Sequence, residues 1–181
     1  MMMNLPNRLT MLRIILIPAI IIVLFCGAFE DSTARIIATA IFIVASITDF
    51  FDGYIARKRN LVTNFGKLMD PLADKLLVSA ALVSLVELGN LSAWIVVVII
   101  SREFMVSGLR QLAASNDIVL AAGQLGKFKT ATQMFMIIFL LLQINNDMFA
   151  ITTTVLVWAA VALTVISGVE YLYKNRKSFL S

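Results

Sequence analysis

Residues 48–75 read TDFFDGYIARKRNLVTNFGKLMDPLADK, and they set four aspartates, Asp49, Asp52, Asp70 and Asp74, into a chain that is otherwise mostly apolar. A carboxylate in or near hydrocarbon costs on the order of 3 kcal/mol even on lenient insertion scales. Four together call for a neutraliser. The usual partner of converging carboxylates is a hard divalent cation, which takes oxygen ligands. Asp49 and Asp52 are three residues apart and Asp70 and Asp74 four apart, so on α-helices each pair shares one face. A short basic connection between two antiparallel helices brings both pairs to a similar depth.

The rest of the chain is read outward from that stretch. Of 181 residues, 60% are apolar, well above the share of a soluble domain. Runs long enough to cross a bilayer as helices, which takes roughly 20 residues each, recur along the chain. They predict an all-α integral membrane protein of six transmembrane helices, at about residues 8–28, 33–57, 68–88, 91–112, 124–144 and 149–173, forming a single domain over residues 1–181. The opening NLPNRLTMLR holds Pro6, which suits a helix start, and Asn7, a fair N-cap, so a short interfacial segment precedes the first span. After Gly108 the stretch LRQLAASNDIVLAAGQLGKFKT mixes polar and apolar residues and is expected to leave the membrane and return, with Gly123 and Gly126 as breakers.

Charge fixes the expected orientation. Arg8, Arg13, Arg57, Lys58, Arg59, Lys67, Arg102, Arg110, Lys127, Lys129, Lys174, Arg176 and Lys177 fall on one side of that topology. The other side carries Glu30, Asp31, Glu87 and Asp147, with Arg35 as its base. The positive-inside rule then puts both termini and the aspartates on the cytosolic side of a multi-pass cell-membrane protein. The net charge of +4 is a topology signal; the basic residues are scattered over one membrane face without a recognisable module, which argues against nucleic acid as a partner. Cys26 is the single cysteine and reads as an inert packing or lipid-facing thiol.

Oxygen-only ligands suit Mg²⁺, Mn²⁺ or Ca²⁺ better than zinc, with Mg²⁺ or Mn²⁺ the expected cofactor, and two divalent cations would offset four carboxylates. Two-metal sites clamp both the attacking and the leaving oxygen in phosphoryl chemistry. Gly53 beside Asp52 and Gly66 four before Asp70 leave space for a ligand near the backbone. Arg57 can pair with a phosphate bidentately. The bland alternatives are ion pairs of single aspartates with Arg57, Lys67 or Lys75, and simple helix-end anchoring by Lys58 and Arg59; neither accounts for four aspartates with adjoining glycines. Arg102 and Glu103 read equally well as a helix-end ion pair or as part of a site. There is no histidine, so a general base has to be Asp, Glu, Lys or Tyr.

The pattern Asp49-x₂-Asp52-Gly53-x₂-Ala56-Arg57-x₈-Gly66-x₃-Asp70-x₃-Asp74 resembles the signature of the CDP-alcohol phosphotransferases, without departure at any fixed position. That resemblance implies a six-helix fold over the whole chain, commonly as a homodimer, with a cytosol-facing site for two divalent cations. It implies attack of an alcohol hydroxyl on the phosphorus of a CDP-linked lipid, with release of CMP. Residue by residue, it implies that Asp49, Asp52, Asp70 and Asp74 bind metal and that Asp74 also takes the hydroxyl's proton. Asn7, Thr10, Gly53, Arg57, Thr63 and Gly66 fall to the CDP-lipid. The segments NLPNRLTMLR, GKLMDPLADK, SREFMVSGLR and GKFKT resemble the bacterial members that use CDP-diacylglycerol and sn-glycerol 3-phosphate and produce phosphatidylglycerol phosphate. That acceptor carries its own phosphate and needs a second cationic cluster; Arg110, Lys127 and Lys129 are the unassigned candidates.

Inositol phosphate is the alternative acceptor, since it too carries a phosphate. A divalent-ion carrier is the alternative of a different class, because intramembrane carboxylates commonly line ion paths. The aspartates cluster near one face with no comparable charges deeper, which disfavours a path.

Overall fold

The computed structural model describes the backbone of residues 5–58, 64–115 and 123–179 and the side chains of residues 9–48, 69–113 and 123–176. The described residues form six α-helices and no strand: α1 (Leu5–Phe25), α2 (Asp31–Lys58), α3 (Asn64–Glu87), α4 (Ala93–Ser115), α5 (Gln124–Leu142) and α6 (Asp147–Phe179).

The helix ends follow local chemistry. Gly89, just past α3, takes φ +71°, a left-handed conformation that glycine adopts without steric cost. Gln143 takes the same role after α5 with φ 43°, and its side chain accepts a hydrogen bond from Arg35 Nη1. Before α6, Asn146 Oδ1 accepts from the Met148 N–H at 2.9 Å, a side-chain N-cap.

Two expectations are corrected. Helix α1 is unbroken from Leu5, so among the described residues no separate interfacial segment precedes it and Asn7 lies inside the helix. Pro6 is tolerated there because the first-turn N–H groups have no intrahelical acceptor. Gly126 does not break the chain either: it sits in the first turn of α5, its N–H bonded to the Gly123 carbonyl at 3.1 Å. Helix α4 also runs through Gly108 to Ser115.

Among the described residues, three segments are long and apolar enough to cross a membrane, Asp31–Thr48, Gln124–Leu142 and Asp147–Arg176, and the described part of α1, Leu9–Phe25, is apolar as well. The described parts of α3 and α4 fall short of that measure because charges interrupt them: Asp70, Asp74 and Lys75 in α3, and Arg102, Glu103 and Arg110 in α4. Large apolar side chains such as Ile22, Val97, Ile151 and Val169 stand exposed, as expected of surfaces that meet lipid.

The chain divides into two compact units. In the first, α1 packs on α2 and α3. Ala34, Ala38, Phe42 and Ala45 are buried on α2, and Ala73, Leu77 and Ala81 on α3. Small residues at helical spacing let backbones approach closely. In the second, α4 packs on α6, with Trp94 against Trp158 at 6.1 Å between ring centroids. Ala160, Thr164, Ser167 and Tyr171 form the buried stripe of α6.

Candidate active site

The first unit holds the aspartates. Asp49 and Asp52 fall in α2, one turn apart, with Gly53 and Arg57 following in the same helix; Asp70 and Asp74 fall one turn apart in α3, with Gly66 earlier in that helix. The side chains of Asn7, Asp49, Asp52 and Arg57 lie outside the described residues, as does Thr63 altogether. Asp70 and Asp74 are both half-buried. Thr10, fully buried on α1, donates a 2.5 Å hydrogen bond from Oγ1 to Asp70 Oδ1. One turn further along α1, Arg13 is also fully buried. Between the two aspartates Pro71 has no N–H to give, and its carbonyl accepts from Lys75 Nζ at 3.0 Å.

The described donors fit a hard cation. They are carboxylate oxygens one turn apart; the chain has no histidine and its one cysteine, Cys26, is exposed. Thr10 engages one oxygen of Asp70, and Oδ2 stays available as a ligand. Among the described residues alone, no three metal-ligating side chains converge; Asp49 and Asp52 would have to complete the set.

The second unit holds a cavity of about 370 Å³. Its wall includes Arg102 and Arg110 from α4, Gln124 and Gly126 from α5, and Ser167, Tyr171 and Lys174 from α6. Arg102 Nη2 donates to Ser167 Oγ at 3.0 Å. The Arg110 guanidinium lies 5.4 Å from the centre of the Tyr171 ring, within cation–π range. Lys174 is paired with Glu170 one turn before it. Two buried polar atoms of these residues, Arg102 Nε and Tyr171 Oη, have no hydrogen-bond partner among the described residues. The two arginines give the cavity wall positive charge and N–H donors, which suit an oxygen-rich anion.

A profile of the CDP-alcohol phosphatidyltransferase family matches residues 3–166, a span that contains every aspartate of the pattern and both arginines of the cavity. The chain belongs to the CDP-alcohol phosphatidyltransferase family. It is 48% identical to the CDP-diacylglycerol–glycerol-3-phosphate 3-phosphatidyltransferase of Bacillus subtilis, with 96% of each chain covered. The enzyme of the same name in Rickettsia felis is 42% identical over 97% of each chain. A probable phosphatidylglycerophosphate synthase of Mycobacterium tuberculosis is 42% identical over 93% of this chain and 80% of its own. This member of the family is therefore a membrane-associated transferase of phospholipid biosynthesis.

The structure distributes the three cations assigned to an acceptor phosphate unevenly. Arg110 lines the cavity. Lys127 is exposed near the start of α5. Lys129 is fully buried and its ammonium is paired with Glu103. Ser167, Glu170, Tyr171 and Lys174 were not singled out from the sequence. Their signal was present, because they stand at i, i+3, i+4 and i+7 of an otherwise apolar helix, the spacing of one helical face.

Proposed function

We propose that this enzyme transfers the phosphatidyl group of CDP-diacylglycerol to sn-glycerol 3-phosphate, giving phosphatidylglycerol phosphate and CMP. Near-full-length similarity to enzymes carrying that name supports the donor and the acceptor. The observation that carries the acceptor assignment is the cavity with Arg102 and Arg110 in its wall. Arg102, Arg110, Lys174 and the neighbouring Lys129 stand against Glu103 and Glu170, an excess of two positive charges. A phosphate monoester carries about −1.5 to −2 at neutral pH, so the balance suits an acceptor that brings its own phosphate. Direct contacts fall to Arg110 and Arg102, Lys127 adds to the local positive field, and Lys129 offsets Glu103.

In the reaction the acceptor's free hydroxyl attacks the phosphorus that carries diacylglycerol. A new P–O bond forms, the bond to CMP breaks, and CMP leaves with the electron pair. Asp74 takes the hydroxyl's proton; without histidine, a carboxylate is the natural base. Asn7, Thr10, Gly53, Arg57, Thr63 and Gly66 accommodate the CDP-lipid. Divalent cations, Mg²⁺ or Mn²⁺ held by Asp49, Asp52, Asp70 and Asp74, would offset the diphosphate's charge and stabilise the leaving phosphate.

The proposal includes six membrane spans, with both termini and the aspartates cytosolic, in one functional domain that works as a homodimer in the bacterial cell membrane. Helices α3 and α4 span despite their charges because the charged positions are committed to the sites. The test is CMP release from CDP-diacylglycerol in detergent–lipid micelles with a panel of acceptors. Release with glycerol 3-phosphate, and little with inositol phosphate, serine or phosphatidylglycerol, is the expected outcome; a preference for any other acceptor overturns it.

A further inference from the structure

We infer that Glu103 is a positioning residue for the acceptor cavity: its carboxylate, neutralised by Lys129, holds the Arg102 guanidinium in the cavity wall. This rests on the assignment of that cavity to the acceptor's phosphate.

Consecutive residues on a helix do not face each other. Arg102 and Glu103 nevertheless approach to 3.6 Å between Nη1 and Oε1, so the arginine is drawn back toward its neighbour. The same oxygen, Glu103 Oε1, accepts from Lys129 Nζ. One carboxylate oxygen thus joins a fully buried lysine of α5 to an arginine that lines the cavity. The other contacts of Arg102 complete a cradle. Its Nη2 is bonded to Ser167. Its aliphatic stem crosses α6 at Gly168, where an added Cβ would lie 3.2 Å from Arg102 Cγ. Gly126 leaves similar room near Nη2, at 3.8 Å.

Of these contacts Glu103 supplies the charge. Without it, Glu170 would be the carboxylate left in the wall to offset the repulsion between Arg102 and Arg110, and it is already paired with Lys174. Lys129 prevents the carboxylate from cancelling Arg102, because a buried lysine needs the counter-ion itself. Arg102 therefore keeps its orientation and retains positive charge for an incoming phosphate.

The test measures KM for both substrates in Glu103→Gln, in Glu103→Gln with Lys129→Met, and in Arg102→Ala with and without that pair. The double replacement removes the buried lysine together with its counter-ion, so it serves if Glu103→Gln alone fails to insert. The neutral pair is expected to raise KM for glycerol 3-phosphate about tenfold, the scale of one charge-assisted contact, with KM for CDP-diacylglycerol unchanged. In the Arg102→Ala background the pair is expected to add nothing, because Glu103 acts through Arg102. If Arg102→Ala raises the acceptor KM but the pair leaves it at wild type, or adds its full effect on top, the positioning role is overturned and the cavity assignment stands. If Arg102→Ala leaves the acceptor KM unchanged, the cavity assignment falls and this role falls with it.

Discussion

Thr10 Oγ1 donates to Asp70 Oδ1 at 2.5 Å, tying the second turn of α1 to α3 across 60 residues of chain. The hydroxyl is fully buried, so its proton has no water to turn to. The bond holds one oxygen of Asp70 and thereby sets the direction of the other. Loss of a partner that orients a metal ligand typically costs 10- to 100-fold in metal affinity or activity. Thr10→Val, which keeps the shape and removes the donor, is expected to lower turnover by about that factor and to move half-saturation by Mg²⁺ upward. Thr10→Ser is expected to stay close to wild type. A metal titration of Thr10→Val that overlays wild type would show that the bond has no part in orienting Asp70.

Removal of divalent cations is expected to abolish CMP release, and Mg²⁺ or Mn²⁺ to restore it. Asp49→Asn, Asp52→Asn and Asp70→Asn are each expected to lose most activity while still inserting in the membrane. Full activity in excess chelator would refute a metal role for the four carboxylates.

Asp74 lies one turn beyond Asp70 in α3, and its proposed task is to take the acceptor's proton. General bases contribute on the order of 10²–10⁴-fold. Asp74→Asn is expected to reduce kcat by about that factor while CDP-diacylglycerol binding survives better than in Asp49→Asn. The acid limb of the pH–rate profile, where a carboxylate base becomes protonated, should flatten. Near-normal kcat in Asp74→Asn would assign the proton to another group.

Arg110 rests on the Tyr171 face and lines the cavity. Arg110→Ala is expected to raise KM for glycerol 3-phosphate by about 10- to 100-fold, the scale of one charge-assisted contact, with little change in KM for CDP-diacylglycerol. That split is the mark of lost uniform binding. Arg110→Lys should also impair binding, since a point charge does not replace a planar fork. Equal acceptor KM values with less inserted protein would make Arg110 an anchor only.

Orientation is checked by single cysteines in a Cys26→Ser background, because the natural thiol is exposed. Cysteines placed near Asp31 and Asp147 are expected to react with an impermeant reagent in intact cells. Those near Lys58 and Lys177 should be protected. The reverse pattern would put the aspartates outside the cytosol.

The helical character of the chain, most helix limits to within a few residues and the spacing of the four aspartates were legible from the sequence. Each depends on neighbours a turn or two away and on solvent preference, and both are written locally. The family was legible for the same reason, since its pattern lies within one short stretch. Gly126 was misread because a glycine marks either a helix break or room for a neighbour, and only the Arg102 side chain against it decides which. Lys129 was assigned from the sequence to the acceptor's phosphate, but α5 turns it inward onto Glu103. Thr10 with Asp70, Arg102 with Ser167 and Lys129 with Glu103 are 60, 65 and 26 residues apart. No local period encodes such meetings. They follow from which helix faces pack together, so tertiary structure alone decided which polar side chains found partners and which cations came to line the cavity.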